Sequence, residues 1–181
     1  MDRDKWFAIQ VNCRQESLIS RQFRMKGYEE FVPLYSQTPY RAPKPKIYQP
    51  VVPGYVFCRL NLSERILPVL TTPGVIRIVG AGRVPVALED SEIETIRRAV
   101  ALGQIEPYPG FAKGRRVVLT DGPLAGCEGV IEQVKKGWRL VISVALLQRS
   151  VAVEIDQSWA RPNNTAPFRR PSDSELSPML S

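Results

Sequence analysis

Short hydrophobic runs separated by polar breaks dominate the first half of the chain, and their spacing predicts strands that alternate with helices. Residues 6–11 are almost all apolar and predict a mostly buried strand. Residues 16–26 predict an amphipathic helix ending at Gly27, because apolar side chains recur there at approximately helical spacing: Leu18, Ile19, Phe23 and Met25. Residues 28–35 return to an extended pattern. The chain therefore begins as strand, helix and strand.

The next segments continue this alternation. Residues 51–60 are strongly β-prone and are interrupted only by Pro53-Gly54. Ser63 is placed to start a short helix that reaches about residue 70, and residues 75–79 predict another strand. Apolar residues at helical spacing predict a further helix from about residue 91 to 102. We expect residues 1–102 to form an α+β domain, an antiparallel sheet with packed helices.

The second half of the chain differs in kind. Two prolines and two glycines within residues 103–110 interrupt regular structure, which predicts a linker over residues 103–112. Residues 113–161 contain only short β-prone runs, and three glycines recur where strands would meet: Gly122, Gly126 and Gly129. Glycines supply the positive φ angles and close backbone approach of a tight barrel, so we expect a small all-β, SH3-like barrel of about five strands. Residues 162–181 are rich in Ser and Pro and predict a disordered tail.

Composition limits the chemistry that the protein can perform. The 181 residues contain no histidine, which removes the commonest general base and the commonest metal ligand. The three cysteines are far apart and lack a Cys-x-x-Cys spacing, so neither a disulfide framework nor a zinc site is expected. Acidic residues crowd a predicted helix start, where they complement the helix dipole. We therefore expect a protein that is not an enzyme and needs no metal or cofactor.

Charge and hydropathy indicate where the protein works. The formal net charge of +7 is compatible with an acidic partner such as nucleic acid, but equally with a solvated basic surface. No apolar run is long enough to span a membrane, and the amino terminus lacks the apolar core of a signal peptide. The expected location is the cytoplasm, with no membrane association.

Four sequence signatures in a fixed order carry a family resemblance. Residues 114–131 resemble the KOW motif, a strand–loop–strand signature of transcription and ribosomal proteins. Upstream, Trp6-Phe7 opens the first strand, residues 53–57 read Pro-Gly-Tyr-Val-Phe, and residues 72–75 read Thr-Pro-Gly-Val. This order resembles the NusG family of transcription elongation and antitermination factors, and residues 146–154 are similar to its specialised UpxY-type members.

The resemblance implies a partner for the first domain. In this family the amino-terminal domain binds RNA polymerase by seating the tip of the clamp helices in an apolar pocket, which holds the clamp closed and suppresses pausing or termination. Tyr55 and Phe57 lie on the strand whose aromatic positions line that pocket, with Trp6 or Phe7 as neighbours. Aromatic anchors of this kind are typical of protein interfaces, although plain core residues have the same pattern.

Specialised family members also bind the exposed non-template DNA strand with the first helix and nearby loops. The corresponding candidates are Arg14, Arg21 and Arg24, two of which are three residues apart and can share a helix face. The basic, proline-rich residues Arg41, Lys44 and Lys46 match the position of a variable hairpin near upstream DNA. Residues 65–68 read Arg-Ile-Leu-Pro where some members have a His-Thr-Thr-type run, so that contact is not carried over.

The resemblance is less complete in the second module. In NusG this module recruits Rho or a ribosomal protein through a phenylalanine–glycine pair, and the matching turn here is Leu147, Gln148 and Arg149. The many β-branched residues of this module favour strands rather than a switch of the module to a helical fold. An alternative is a ribosome- or RNA-binding protein in which the KOW module does the principal work. For either function we expect a monomer.

Overall fold

The computed structural model describes residues 4–37, 47–103, 105–108, 114–134 and 137–162. The first module contains a four-stranded antiparallel sheet in the order β2-β5-β1-β6. These strands are β1 (Lys5–Val11), β2 (Glu29–Phe31), β5 (Tyr55–Leu60) and β6 (Val75–Ile78). Two short hairpins accompany them, formed by β3 (Leu34–Gln37) with β4 (Ile47–Pro50) and by β7 (Gly80–Ala81) with β8 (Val84–Pro85). The helices are α1 (Glu16–Met25), α2 (Leu67–Leu70) and α3 (Asp90–Ala101). The predicted α+β class is confirmed.

Strand alternation assigns α1 and α3 to opposite faces of this sheet. Phe7 and Ile9 of β1 pack in one apolar cluster with Ile19 and Phe23 of α1. The intervening residues Trp6 and Ala8, together with Phe57 of β5, pack in a second cluster with α3 through Ile93, Ile96 and Ala99. Successive strand residues point to opposite faces, so β1 contributes to both clusters. The sheet is the middle layer between two helices.

The structure corrects two details of the predicted helices. Ile19 and Phe23 are fully buried, whereas Leu18 and Met25 are 46% and 83% exposed, so the apolar stripe of α1 is narrower than predicted. Helix α2 begins at Leu67 rather than Ser63. Before it, the Ser63 amide donates to the Asn61 side chain at 2.9 Å, a local turn that competes with helix formation.

Helix α3 begins where acidic residues can cap it. Glu89 is the N-cap residue, and its backbone amide donates to Glu92 Oε2 at 3.0 Å, while the Glu89 side chain accepts from the backbone of residue 92. This capping box satisfies amides at the helix start that have no partner within the helix. The acidic cluster therefore has the helix-start role predicted from the sequence.

The second module is an antiparallel six-stranded sheet in the order β14-β10-β11-β12-β13-β9. Its strands are β9 (Ile105–Tyr108), β10 (Arg115–Leu119), β11 (Glu128–Val134), β12 (Gly137–Val144), β13 (Arg149–Ile155) and β14 (Ala160–Pro162). The all-β prediction is confirmed, with one strand more than expected at the sequence level. The extra strand β9 lies within the predicted linker and pairs with β13. It forms an edge of the sheet, a position that tolerates a proline.

The three KOW glycines have different structural reasons. A Cβ at Gly129 would lie 2.6 Å from the Val141 carbonyl oxygen of the neighbouring strand, so only glycine permits this strand spacing. A Cβ at Gly122 would lie 2.7 Å from the ring of Trp159. Gly126 has open space around it, but its φ of +84° favours glycine. Close backbone or ring approach therefore requires glycine at Gly122 and Gly129, and a positive φ favours it at Gly126.

The two modules are in contact. Arg98 of α3 donates hydrogen bonds to the carbonyl oxygens of Pro123 and Ala125, each at 3.0 Å, in the loop between β10 and β11. The apolar cluster beneath α3 continues through Ile105 into the core of the six-stranded sheet. None of the described helices is long and apolar enough to cross a membrane. The predicted tail, apart from Pro162, lies outside the described residues, as do the candidates Arg41, Lys44 and Lys46.

Candidate functional site

The aromatic candidates are divided between the two faces of the four-stranded sheet. Tyr55, Phe57 and Trp6 lie on the face that packs against α3, which we call the Tyr55 face. Phe7 lies on the opposite face, 3% exposed in the core beneath α1. The structure therefore does not bring Phe7 to the other three, because adjacent residues of a strand point in opposite directions.

Tyr55 and Phe57 differ in accessibility although they share a face. Phe57 is completely buried, and its ring stacks on Phe31 of β2 with the ring centres 6.1 Å apart. Tyr55 is half-buried at the start of β5 and packs against the edge of the same cluster. Tyr55 can therefore contact a partner directly, whereas Phe57 supports the surface from beneath.

Trp6 lies under a layer of charged side chains. It is 2% exposed, and the guanidinium groups of Arg97 and Arg59 lie 5.0 Å and 5.9 Å from its ring centre. Glu29 accepts hydrogen bonds from Arg97 at 2.9 Å and from Arg59 at 3.4 Å. These cation–π contacts and ion pairs hold two cations at one end of the Tyr55 face.

A row of three side chains crosses the sheet at the other end of this face. Gln10 of β1 lies opposite Tyr55 on β5 and opposite Arg77 on β6. Arg77 donates from Nε to Gln10 Oε1 at 2.8 Å and is itself exposed. Half-buried apolar residues also pack against the cluster below: Phe31, Tyr35 and Val100. Sequence reasoning missed Gln10 and Arg77, although the alternation of β1 could have indicated Gln10.

The three arginines proposed for DNA contact are all exposed near or on α1. Arg24 pairs with the nearly buried carboxylate of Glu30, which also accepts from Ser20. Arg14 and Arg21 form no ion pair with any other residue that the structure describes. Arg14 has a φ of +68°, an uncommon conformation for a residue with a side chain. Of the helix residues, Arg21 has its charge more available than Arg24.

The predicted recruiting turn of the second module contains one core residue and two surface residues. Leu147 ends a short 3₁₀ helix and is 6% exposed. Gln148 and Arg149 are exposed, and Gln148 has a φ of +51°. The turn therefore presents polar and charged groups instead of an apolar anchor.

The cysteines and acidic residues are the remaining candidates for chemistry. No cluster of three Cys, Asp or Glu residues that could hold a metal ion occurs in the described part of the chain. Burial raises the pKa of the Cys58 thiol to about 12, so this thiol stays protonated at neutral pH. Cys127 is also buried and only Cys13 is exposed. The features on the surface are aromatic, cationic and polar groups suited to binding.

Comparison with known proteins gives a consistent result. Residues 4–97 match the family described as transcription termination factor nusG. The transcription termination/antitermination protein NusG of Rickettsia bellii is 23% identical over 175 residues, covering 90% of this chain and 92% of the relative. The proteins of the same name from Campylobacter jejuni and Pseudomonas aeruginosa are each 28% identical, covering 86% and 85% of this chain and 95% and 96% of the relatives.

A solved structure shows the same fold. It is described as "Domain interaction in Thermotoga maritima NusG", and it matches with a TM-score of 0.57 at 20% identity, covering 88% of this chain and 97% of that one. The similarity therefore includes both modules.

Proposed function

Because the chain belongs to the NusG family of transcription factors, we propose that it binds RNA polymerase through the Tyr55 face and suppresses pausing or termination. The observation that carries this proposal is the half-exposed ring of Tyr55, fixed on a sheet that is packed on both sides. A rigid aromatic group of this kind loses little conformational freedom on binding and is a typical anchor of protein interfaces.

The groups around Tyr55 fit a partner that combines apolar and charged residues. The exposed part of the Tyr55 ring supplies apolar surface, and Arg77, in the same cross-strand row on the edge strand β6, supplies a cation. The carbonyl end of a helix carries a partial negative charge, which a cation such as Arg77 complements. The second group of cations, Arg59 and Arg97, is already neutralised in part by Glu29 and serves mainly to cover Trp6.

The proposed mechanism requires no bond chemistry. A factor that binds the closed clamp better than the open clamp shifts polymerase towards the closed, elongating state by the difference between the two affinities. A tenfold difference corresponds to about 1.4 kcal/mol. A single aromatic anchor that contacts only the closed state can supply a difference of this size.

Non-template DNA is the second proposed partner. Arg14 and Arg21 are exposed and unpaired within the described residues, and they would contact phosphates as the strand passes α1. Arg24 would contribute less, because Glu30 already accepts its hydrogen bonds.

The second module is proposed to recruit a further partner through Gln148 and Arg149. The phenylalanine–glycine pair of NusG is absent, and Leu147, which stands in place of the phenylalanine, is buried. We therefore expect the partner, whether Rho, a ribosomal protein or another factor, to be bound through polar contacts.

The charges of the second module bear on the alternative, an RNA-binding KOW protein. Residues 113–161 contain eight Lys and Arg against five Asp and Glu. Among the described residues of this module the exposed charges are of both signs: Arg115, Arg116, Arg149 and Arg161 against Asp121, Glu128, Glu154 and Asp156. RNA binding through phosphate contacts needs a basic surface, so the binding experiment decides between the two functions.

Binding to purified RNA polymerase tests the proposal. The wild-type chain should bind, Tyr55→Ala should bind at least about tenfold more weakly, and Tyr108→Ala should bind like the wild type. Tyr108 is a matched control, because it is also a half-buried tyrosine but lies on β9 of the second module. Equal affinities for all three proteins would disprove the assigned surface, and RNA binding by the full chain without polymerase binding would support the alternative.

A further inference from the structure

The segment between β1 and α1 holds two separate turns of the first module in place. The Val11 amide donates to the Gly54 carbonyl and the Asn12 amide donates to the Gly74 carbonyl, each at 2.9 Å. Gly54 precedes β5 and Gly74 precedes β6, and both have positive φ values, +84° and +92°. Two motifs that are distant in the sequence, Pro53-Gly54 and Pro73-Gly74, therefore meet on one short segment.

A buried carboxylate completes the contact with the first of these turns. Glu16, in the first turn of α1, is only 3% exposed, and its Oε1 accepts a hydrogen bond from the Gly54 amide at 2.7 Å. Gly54 is thus fixed through both backbone groups, by Glu16 at the amide and by Val11 at the carbonyl. A carboxylate is costly to bury, and the helix dipole would favour it equally on the surface, so capping α1 does not account for its burial.

The residue that follows the fixed glycine is Tyr55. Residues 57–59 of β5 pair with β1 on one side and β2 on the other. Tyr55 is the first residue of the strand and, within the described part of the chain, pairs on one side only, with Gln10 of β1. The direction in which the strand begins therefore depends on the turn before it. On the basis of the polymerase-binding function proposed above, we infer that Glu16 is a positioning residue: it fixes the Gly54 turn from α1 and so sets the orientation in which Tyr55 meets the polymerase.

Three variants of Glu16 and one control separate this role from a general contribution to folding. Glu16→Gln keeps an acceptor oxygen at the same reach, Glu16→Asp keeps the charge but is one methylene too short, and Glu16→Ala removes both. Ser20→Ala is the control, because Ser20 is a buried polar residue of the same helix whose hydroxyl contacts Glu30 and not the turn. The full chain is used throughout.

Two readouts are needed. Amide hydrogen exchange of Gly54 by NMR reports the turn directly, and the affinity for purified RNA polymerase, corrected for the folded fraction, reports the effect on Tyr55. In Glu16→Ala and Glu16→Asp the exchange rate of the Gly54 amide should rise at least about tenfold, because no side-chain oxygen then reaches the amide. Polymerase affinity should fall by about tenfold in both variants, while Glu16→Gln and Ser20→Ala should remain within about threefold of the wild type.

The outcomes distinguish the positioning role from the function on which it rests. If the wild type binds polymerase, and Glu16→Asp and Glu16→Ala bind it with the same affinity as Ser20→Ala, the positioning role is wrong. An unchanged exchange rate at Gly54 in those variants would overturn it as well, whatever the affinity. If the wild type itself fails to bind polymerase, the proposed function fails. The exchange rate and the Tyr55 ring resonances of Glu16→Asp then decide whether Glu16 fixes the turn.

Discussion

Substitutions at Tyr55 and Phe57 should have different effects, although the two residues lie only two positions apart on one strand: loss of the Phe57 ring should mainly lower stability, and loss of the Tyr55 ring should mainly lower polymerase affinity. Phe57 is completely buried and stacked on Phe31, so Phe57→Ala removes a whole aromatic ring from the core. Truncation of a buried phenylalanine costs about 3–5 kcal/mol. Tyr55 is half-buried, and part of its ring is in water in the folded state, so Tyr55→Ala should cost about 1–2 kcal/mol.

Urea denaturation followed by circular dichroism gives the free energy of unfolding for both variants. Because Phe57→Ala can leave too little folded protein for binding experiments, Phe57→Leu serves as the milder variant and should cost about 1 kcal/mol. We expect Phe57→Leu, at full folding, to retain most of the polymerase affinity and Tyr55→Ala to lose it. A Phe57→Ala variant that loses less than about 1 kcal/mol would refute the assigned burial. Greater destabilisation by Tyr55→Ala than by Phe57→Ala would refute the division of roles.

Three further predictions concern other parts of the molecule. Gly129→Ala should destabilise the second module by about 1–3 kcal/mol, because the added Cβ meets the backbone of β12, and Gly126→Ala should cost only about 1 kcal/mol; equal losses in thermal unfolding would contradict this. Below pH 9 a thiol reagent should label Cys13 in the native protein and leave the buried Cys58 unmodified. Because folding raises the Cys58 pKa from 9.0 to about 12, the contribution of this thiol to the free energy of unfolding should be complete below pH 9 and decline between pH 9 and 12. Arg21→Ala should weaken single-stranded DNA binding and reduce the salt slope by about 0.7, and an unchanged slope would exclude a phosphate contact.

Much of the fold was accessible from the sequence because its signals are local. The apolar run of β1 and the periodicity of α3 each specify one element, and both elements occur where expected. The strand β9 was missed because Pro107 argues against a strand, and a sequence does not reveal that this strand lies at a sheet edge where proline is tolerated. Met25 was predicted to lie on the apolar stripe of α1 but is exposed, because a helix that packs on one face of a sheet buries only a narrow stripe of its surface.

The candidate site was only partly accessible. The sequence placed Tyr55 and Phe57 on the same strand, but it could not show that only Tyr55 reaches the surface, because burial depends on what packs over each residue. Phe7 was grouped with them by sequence proximity to Trp6, and strand alternation places it on the other face. The contact of Glu16 with Gly54 joins residues 38 positions apart and was not predictable from either segment alone.

The most direct test of the central claim is the lifetime of a defined transcriptional pause on purified RNA polymerase. Wild-type protein at saturating concentration should shorten the pause, and Tyr55→Ala at the same folded concentration should leave it unchanged. Unchanged pause lifetimes with the wild-type protein, together with no detectable binding to polymerase, would contradict the account.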